Sequence, residues 1–280
     1  MITPGTDAKH HEQPLGPAER AQLRAGTRTW GSGALLRRYR GRDLRPPERV
    51  LFANHAEGLH GRVLELGCGG GRITGHLLAL AESVEAMDLA AGMVAYCART
   101  YPAASFRQGD LREPGSWGGG PWDAIVAGWA LIDVLGDTER GAFFDDAHRL
   151  LVPTGLLLFS SHNRASASLL RGPLGSISAE SPLSLASQLL RLPRSFANHR
   201  RLARFERIER DYAILNGKAH DFSLLHYYIT RDAQERQLHR HGFSLLECVD
   251  ELGRAVGAGE AALGSHELHY AAQREAGGAS

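Results

Sequence analysis

Apolar positions along this chain follow two periods. Between residues 63 and 161, short unbroken apolar runs alternate with segments whose apolar residues recur at helical spacing. Residues 63–66, 84–88, 104–109, 122–127 and 155–160 read as strands. Residues 73–81, 92–99 and 138–151 read as helices, the last with Thr138 as its N-cap. A strand that is apolar on both faces must be covered on both faces. The pattern therefore predicts a parallel sheet between two helical layers, joined by right-handed crossovers. After Ser161 the alternation stops, and residues 164–226, rich in Ser, Leu and Arg, show no strand period. A helix over "TRDAQERQLHRHGF", capped by Thr230 and ended by Gly242, comes next. Two closing strands, "FSLLECVD" and "HELHYAAQ", have no helix between them, so one must run antiparallel. Upstream, the segment beginning at Pro17, "GALLRRYR" and "PERVLFANHAE" read as helical pieces, and residues 1–16 and the final "EAGGAS" as tails. The expected organisation is a tail with helices over 1–50, a core over 51–163, a helical insert over 164–226, and a last helix with a strand hairpin over 227–280.

Composition changes this picture little. The 280 residues are 43% hydrophobic and 22% charged, enough for a large core, and a net charge of +1 gives no general pull toward nucleic acid. Cys68, Cys97 and Cys248 lack a paired spacing and read as free thiols in a reducing compartment. The first residues carry no apolar stretch of signal-peptide length. The most apolar run, 150–159, is broken by Pro153 and Gly155 and is too short to span a bilayer, so a cytoplasmic location is expected. The histidine pairs lack a third ligand at a usual spacing, so no metal site is expected.

The candidate chemistry starts at "VLELGCGGGR", where the first strand breaks into a loop holding Gly67, Gly69, Gly70 and Gly71. A dinucleotide loop needs a third glycine three positions after Gly69, and Arg72 stands there. Glu65 lies on the same strand face as Gly67. A carboxylate there repels a pyrophosphate and attracts an ammonium or a sulfonium. Asp88 ends the second strand and suits either a dinucleotide or another ribose-bearing ligand, so Glu65 and Arg72 discriminate where Asp88 does not.

This run resembles motif I of the class I S-adenosylmethionine-dependent methyltransferases. "DLAAGMV", "QGDLRE", "WDAIVAGWALIDVL" and "RLLVPTGLLLFSS" resemble that family's later motifs in the same order, and the closing strands resemble its terminal hairpin. The resemblance implies an α/β, Rossmann-like, seven-stranded and mostly parallel sheet with helices on both faces, an antiparallel last strand and a helical cap insert. It implies S-adenosyl-L-methionine as cofactor, held by Glu65 and the loop Gly67, Cys68, Gly69 and Gly71. Asp88 and Leu89 would take the ribose, and Met93, Asp110 and Leu111 the adenine. Ala127 would close the site from the fourth strand, with Tyr39 or Arg42 covering the methionine moiety unless they form only a solvated basic turn.

Family members that methylate nucleic-acid amines carry Asn or Asp before Pro-Pro and an aromatic after the fourth strand. Here "AGWA" stands there, so a small-molecule acceptor is expected, at oxygen ahead of nitrogen or carbon, and no nucleic acid. Acceptor contacts are expected from the carboxyl ends of strands four and five, at Trp129, Asp133, His162 and Asn163. Some of His220, Asp221, His226, Tyr227 and Tyr228 in the insert are expected to join them. His162 is the candidate general base, against a loop histidine bonded to backbone or a reaction that needs no base. The arginine-rich, leucine-bearing insert reads as a lid, a membrane-surface segment or a homodimer face. The rival functions are a catalytically silent cofactor-binding partner subunit and an NAD(P)-dependent reductase.

Overall fold

A computed structural model of the chain describes residues 43–166, 172–175, 177 and 182–276. Its strands are β1 Arg62–Leu66, β2 Ser83–Asp88, β3 Ser105–Gln108, β4 Trp122–Ala127, β5 Leu151–Asn163, β6 Arg207–Ile208, β7 Tyr212–Leu215, β8 His226–Ile229, β9 Phe243–Val249 and β10 Glu267–Arg274. Its helices are α1 Pro46–Asn54, α2 Thr74–Leu77, α3 Ala91–Thr100, α4 Asp137–Leu150, α5 Pro182–Leu202 and α6 Arg231–Arg240.

Seven strands form the expected sheet in the order β3-β2-β1-β4-β5-β10-β9, with β10 antiparallel to both of its neighbours. The alternation of side chains explains why the strands read as unbroken apolar runs. Ile125, Ala127, Leu157 and Phe159 point into a cluster with Phe143 and Phe144 of α4 and Leu238 of α6. Ala124, Val126, Leu156 and Leu158 point the other way, onto Leu51 and Phe52 of α1 and Leu77 of α2. Each fully buried Leu or Phe contributes about 1.5–3 kcal/mol to holding the layers together.

The remaining three strands correct the reading of 164–226 as purely helical. β6, β7 and the start of β8 lie in that segment and form an antiparallel extension. Strands of two to four residues are too short to display a period of two, which is why the pattern missed them. Their placement matters for the site. β4 is in register with β5 only as far as Phe159, and β10 holds the other edge of β5 out to His162. β8 pairs with His162 and Asn163, so it occupies the edge that β4 has vacated and stands over the carboxyl end of β4.

Smaller differences have local causes. α4 begins one residue early, with Gly136 at the N-cap; the Gly136 N–H donates to Glu139 Oε2 at 2.9 Å, so Thr138 sits inside the first turn. Only Thr74–Leu77 of the expected 73–81 helix is α-helical. α1 runs across the expected boundary at residue 50 and packs on the core. Thr230 caps α6 as expected, its hydroxyl accepting from the Ala233 N–H. The helical pieces expected upstream of residue 43, with Tyr39 and Arg42, lie outside the described residues. No helix among the described residues is long and apolar enough to cross a membrane.

Candidate active site

A cavity of about 220 Å³ opens at the carboxyl ends of β1, β2, β4 and β5 and beneath β8. This is where ligands bind in sheets of this construction. Its first wall is the glycine loop. Gly67 has φ +67°, and a Cβ there would come within 2.7 Å of the Leu131 side chain, so only glycine makes this turn. A Cβ on Gly69 would meet nothing within 4 Å. Gly71 faces away from the cavity, onto the Tyr101 ring. Asp88, at the end of β2, ties the loop down: its two carboxylate oxygens accept from the Gly69 N–H at 2.9 Å and the Ala90 N–H at 2.8 Å. Burial raises the Asp88 pKa, and these two amides oppose the shift.

Glu65 is buried at the base of this wall, and the Thr74 hydroxyl donates to its Oε2 at 2.5 Å. Burial pushes its pKa up to about 8, against the opposing hydrogen bond from Thr74 and the charge of Arg72. Such a shift favours the protonated carboxyl, and a cation placed beside it would favour the anion. Arg72 pairs with Glu48 of α1, and its guanidinium lies 5.4 Å from the centre of the Trp129 ring. Cys68, Leu89, Met93, Asp110 and Leu111 complete this end of the cavity. Asp110 is paired with Arg112 at 3.0 Å. Ala127 does not line the cavity: its methyl is buried in the core beneath, and Gly128 takes the place expected for it.

At the opposite end the chain leaves β4 through Trp129 and Ala130, both left-handed, with φ of 53° and 48°. Two such residues in succession cost roughly 1–3 kcal/mol each. The Ala130 N–H is held by the Ser160 hydroxyl at 2.6 Å, and Trp129, 48% exposed, stands at the rim. His162 lines this end. Its Nδ1–H donates to Asp133 Oδ2 at 2.5 Å and its backbone N–H to the same oxygen at 2.6 Å. Nε2 is thereby the lone-pair nitrogen of the ring. Burial would lower the His162 pKa, but the hydrogen bond and charge of Asp133 outweigh it and the net shift is upward.

Asp133, expected to touch the acceptor, is instead fully enclosed. Its Oδ1 accepts from Arg140 at 2.7 Å and from the Ser161 hydroxyl at 2.6 Å. Desolvation alone would raise its pKa; the hydrogen bond and charge of His162, with Arg140, hold it below the usual range. Arg140 is buried as well and donates to Gln237 and Gln234 of α6. Sequence reasoning missed this residue, although its signal is present. Arg140 falls at i with Phe143, Phe144 and Ala147 at i+3, i+4 and i+7, an arginine on the buried stripe of α4.

Among the insert residues, His220 and His226 line the cavity. Along β8, His226 and Tyr228 share one face and Tyr227 the other. Tyr227 is core: its hydroxyl donates to Asp137 at 2.7 Å and its ring stacks on Tyr212 at 4.7 Å. Tyr228 does not line the cavity but packs its ring 5.0 Å from that of His162. His226, 5.1 Å from His162 between ring centres, has its pKa pushed down to about 3 by burial and then by the charge of His162, so it is neutral at any working pH. Asp221 is also outside the cavity lining, its carbonyl accepting from Asn198 of α5. Asn163 proves structural, its amide donating to the carbonyls of Ala261, Ala262 and Ser265. Cys68, Cys97 and Cys248 are free and buried, and no group of three or more metal-ligating side chains occurs among the described residues.

Residues 63–155 match the model of a methyltransferase domain. A malonyl-[acyl-carrier protein] O-methyltransferase of Yersinia pestis is 30% identical over 99 residues, covering 35% of this chain. The chain spans about a third of that curated relative's length, 36%. Among solved structures, an S-adenosylmethionine-dependent methyltransferase of Clostridium acetobutylicum superposes with a TM-score of 0.55 at 12% identity, over 81% of this chain and 90% of that one. The Burkholderia thailandensis 1,6-didemethyltoxoflavin-N1-methyltransferase superposes with a TM-score of 0.53 at 16% identity, over 94% and 93%. At such identities the structural likeness speaks for the fold. That fold, with the seven-strand order, agrees with the methyltransferase domain model that residues 63–155 match.

Proposed function

We propose that the protein transfers a methyl group from S-adenosylmethionine to a small-molecule acceptor, at oxygen ahead of nitrogen or carbon. The observation that carries this reading is the coupling of two features in one cavity: a glycine loop with buried Glu65 at one end, and the His162–Asp133 pair at the other. The residues present fit the cofactor chemically. Asp88 keeps unused lone pairs for two ribose hydroxyls while it anchors the loop. Met93 and Leu111 offer apolar surface to the adenine, with Asp110 as acceptor for its amino group. Glu65 becomes an anion when an ammonium group enters, and Gly69 leaves space at the loop.

When bound, the cofactor supplies an electrophilic methyl group whose bond to sulfur breaks with the electron pair retained on sulfur. The protein's share is alignment, exclusion of water and removal of one proton. Alignment of such a displacement is worth on the order of 7–11 kcal/mol. His162 takes the acceptor proton on Nε2, and Asp133 fixes the ring and balances the imidazolium charge. That the cavity reaches His162 favours catalysis over a silent binding subunit, and the Arg72–Glu48 pair at the position of a third glycine disfavours a dinucleotide. The experiment is transfer of labelled methyl from S-adenosylmethionine to a small-metabolite extract by the full chain. We expect a labelled small product with the wild type and about a hundred- to ten-thousand-fold slower labelling with His162→Ala. Labelling confined to macromolecules, or undiminished in His162→Ala, contradicts the reading.

A further inference from the structure

Resting on that reading, we infer that the acceptor is an uncharged molecule presenting a weakly acidic X–H, a phenolic or enolic hydroxyl or a comparable ring N–H, and that the site rejects an aliphatic ammonium. The argument is an inventory of charge at the end of the cavity beyond the methyl group. The described residues that line it are imidazoles, one indole and apolar side chains, among them His162, His220, His226, Trp129, Leu131 and Val134, and the Trp129 ring already carries the guanidinium groups of Arg45 and Arg72 at 5.7 and 5.4 Å. None is an accessible carboxylate, and Glu267, which stands beside His162 on β10, is buried outside the lining and paired with Arg45 at 2.7 Å. Asp133 is enclosed, and its oxygens are taken by Arg140, Ser161 and His162. Glu65 and Asp88 lie at the other end and are engaged with Thr74 and with the loop amides.

An ammonium entering this space would lose its water, reach no carboxylate among the lining residues and face an imidazole that shares a proton with Asp133. An uncompensated buried cation is among the most costly arrangements a protein can make. An uncharged acceptor carries no such cost. Base strength then narrows the class from the other side. An imidazole takes a proton efficiently from a group whose acidity is within several powers of ten of its own, which suits a phenol, an enol or an acidic ring N–H and not an unactivated alcohol. A carboxylic acid would arrive already ionised and leave the His162–Asp133 pair without a task. The step balances: the X–H proton goes to His162 Nε2, the freed lone pair of X bonds to the methyl carbon, and the carbon–sulfur pair stays on sulfur. The imidazolium later returns its proton to water. His226, neutral and 5.1 Å from His162, adds a second polar edge without adding charge.

The test uses the full-length protein saturated with S-adenosylhomocysteine, with histidine ring signals followed by NMR, and phenol and benzylamine as matched probes. Binding of S-adenosylhomocysteine is established first; its absence would remove the proposed function itself. Given that binding, we expect phenol to shift the His162 and His226 signals and to lower the apparent pKa of His162, as its hydroxyl donates to Nε2 of the neutral ring. Benzylamine, charged at neutral pH, is expected to leave both signals in place. Shifts produced by benzylamine as large as those from phenol, or by neither probe, overturn the inference while leaving cofactor binding intact.

Discussion

Single residues in this site have more than one task, and this sets what their replacement does. Asp88 holds two loop amides, and the proposed function gives it the ribose as well. Asp88→Ala should therefore raise the cofactor dissociation constant roughly tenfold to a hundredfold, and also cost about 1–3 kcal/mol of stability from the amides left unpaired. Titration calorimetry and denaturant melts read the two separately. Glu65 makes a pH prediction. Its folded pKa, about 8, lies above its ordinary value of 4.5. A group raised in this direction contributes its stability in full below the unfolded value and loses it as pH rises through the folded one. The ligand-free protein should therefore lose stability between about pH 4.5 and 8, and Glu65→Gln should flatten that loss while weakening cofactor binding. For the pair at the other end, the base must be neutral to act, and Asp133 raises its pKa. Activity should rise with pH through the His162 pKa, and Asp133→Asn should move that rise to lower pH with a reduced plateau.

At the scale of elements, the strands that pass through the middle of the sheet were legible because burial on both faces leaves an unbroken apolar run, as in Ile125, Val126 and Ala127. Gly67 and Thr230 were legible because a left-handed turn and an N-cap each require few residue types. β6 and β7 were not, being too short for any period. Nor was the role of α4 and α6 in the site, which depends on one buried arginine. Arg140 joins Asp133, Ser161, Gln234 and Gln237, so it links two helices to the end of β5. Arg140→Met leaves Asp133 buried without its cation and should destabilise the fold by about 3–5 kcal/mol in urea unfolding. A loss below 1 kcal/mol would show that Asp133 is neutralised by other means.

Across the whole molecule, the glycine-loop end of the cavity could be read from local sequence, since its residues sit at and just after the ends of consecutive strands. The end at His162 could not. It is assembled from β4, β5 and β8, and β8 reaches it only because β4 stops short and leaves an edge of β5 open. His226 and Tyr228 were grouped with Tyr227 in the sequence, but β8 sends alternate side chains to opposite faces, and only the backbone register decides which. Asp133 and Asn163 illustrate the same limit: both follow strands as substrate residues would, yet both are spent on holding the protein's own groups. All of this depends on the cavity accepting S-adenosylmethionine. Titration calorimetry of the full chain with S-adenosylhomocysteine and, separately, with a nicotinamide dinucleotide tests that directly. Saturable one-to-one binding of the former, weakened by Asp88→Ala, with none of the latter, is the predicted result; binding of the dinucleotide with no heat from S-adenosylhomocysteine would contradict it.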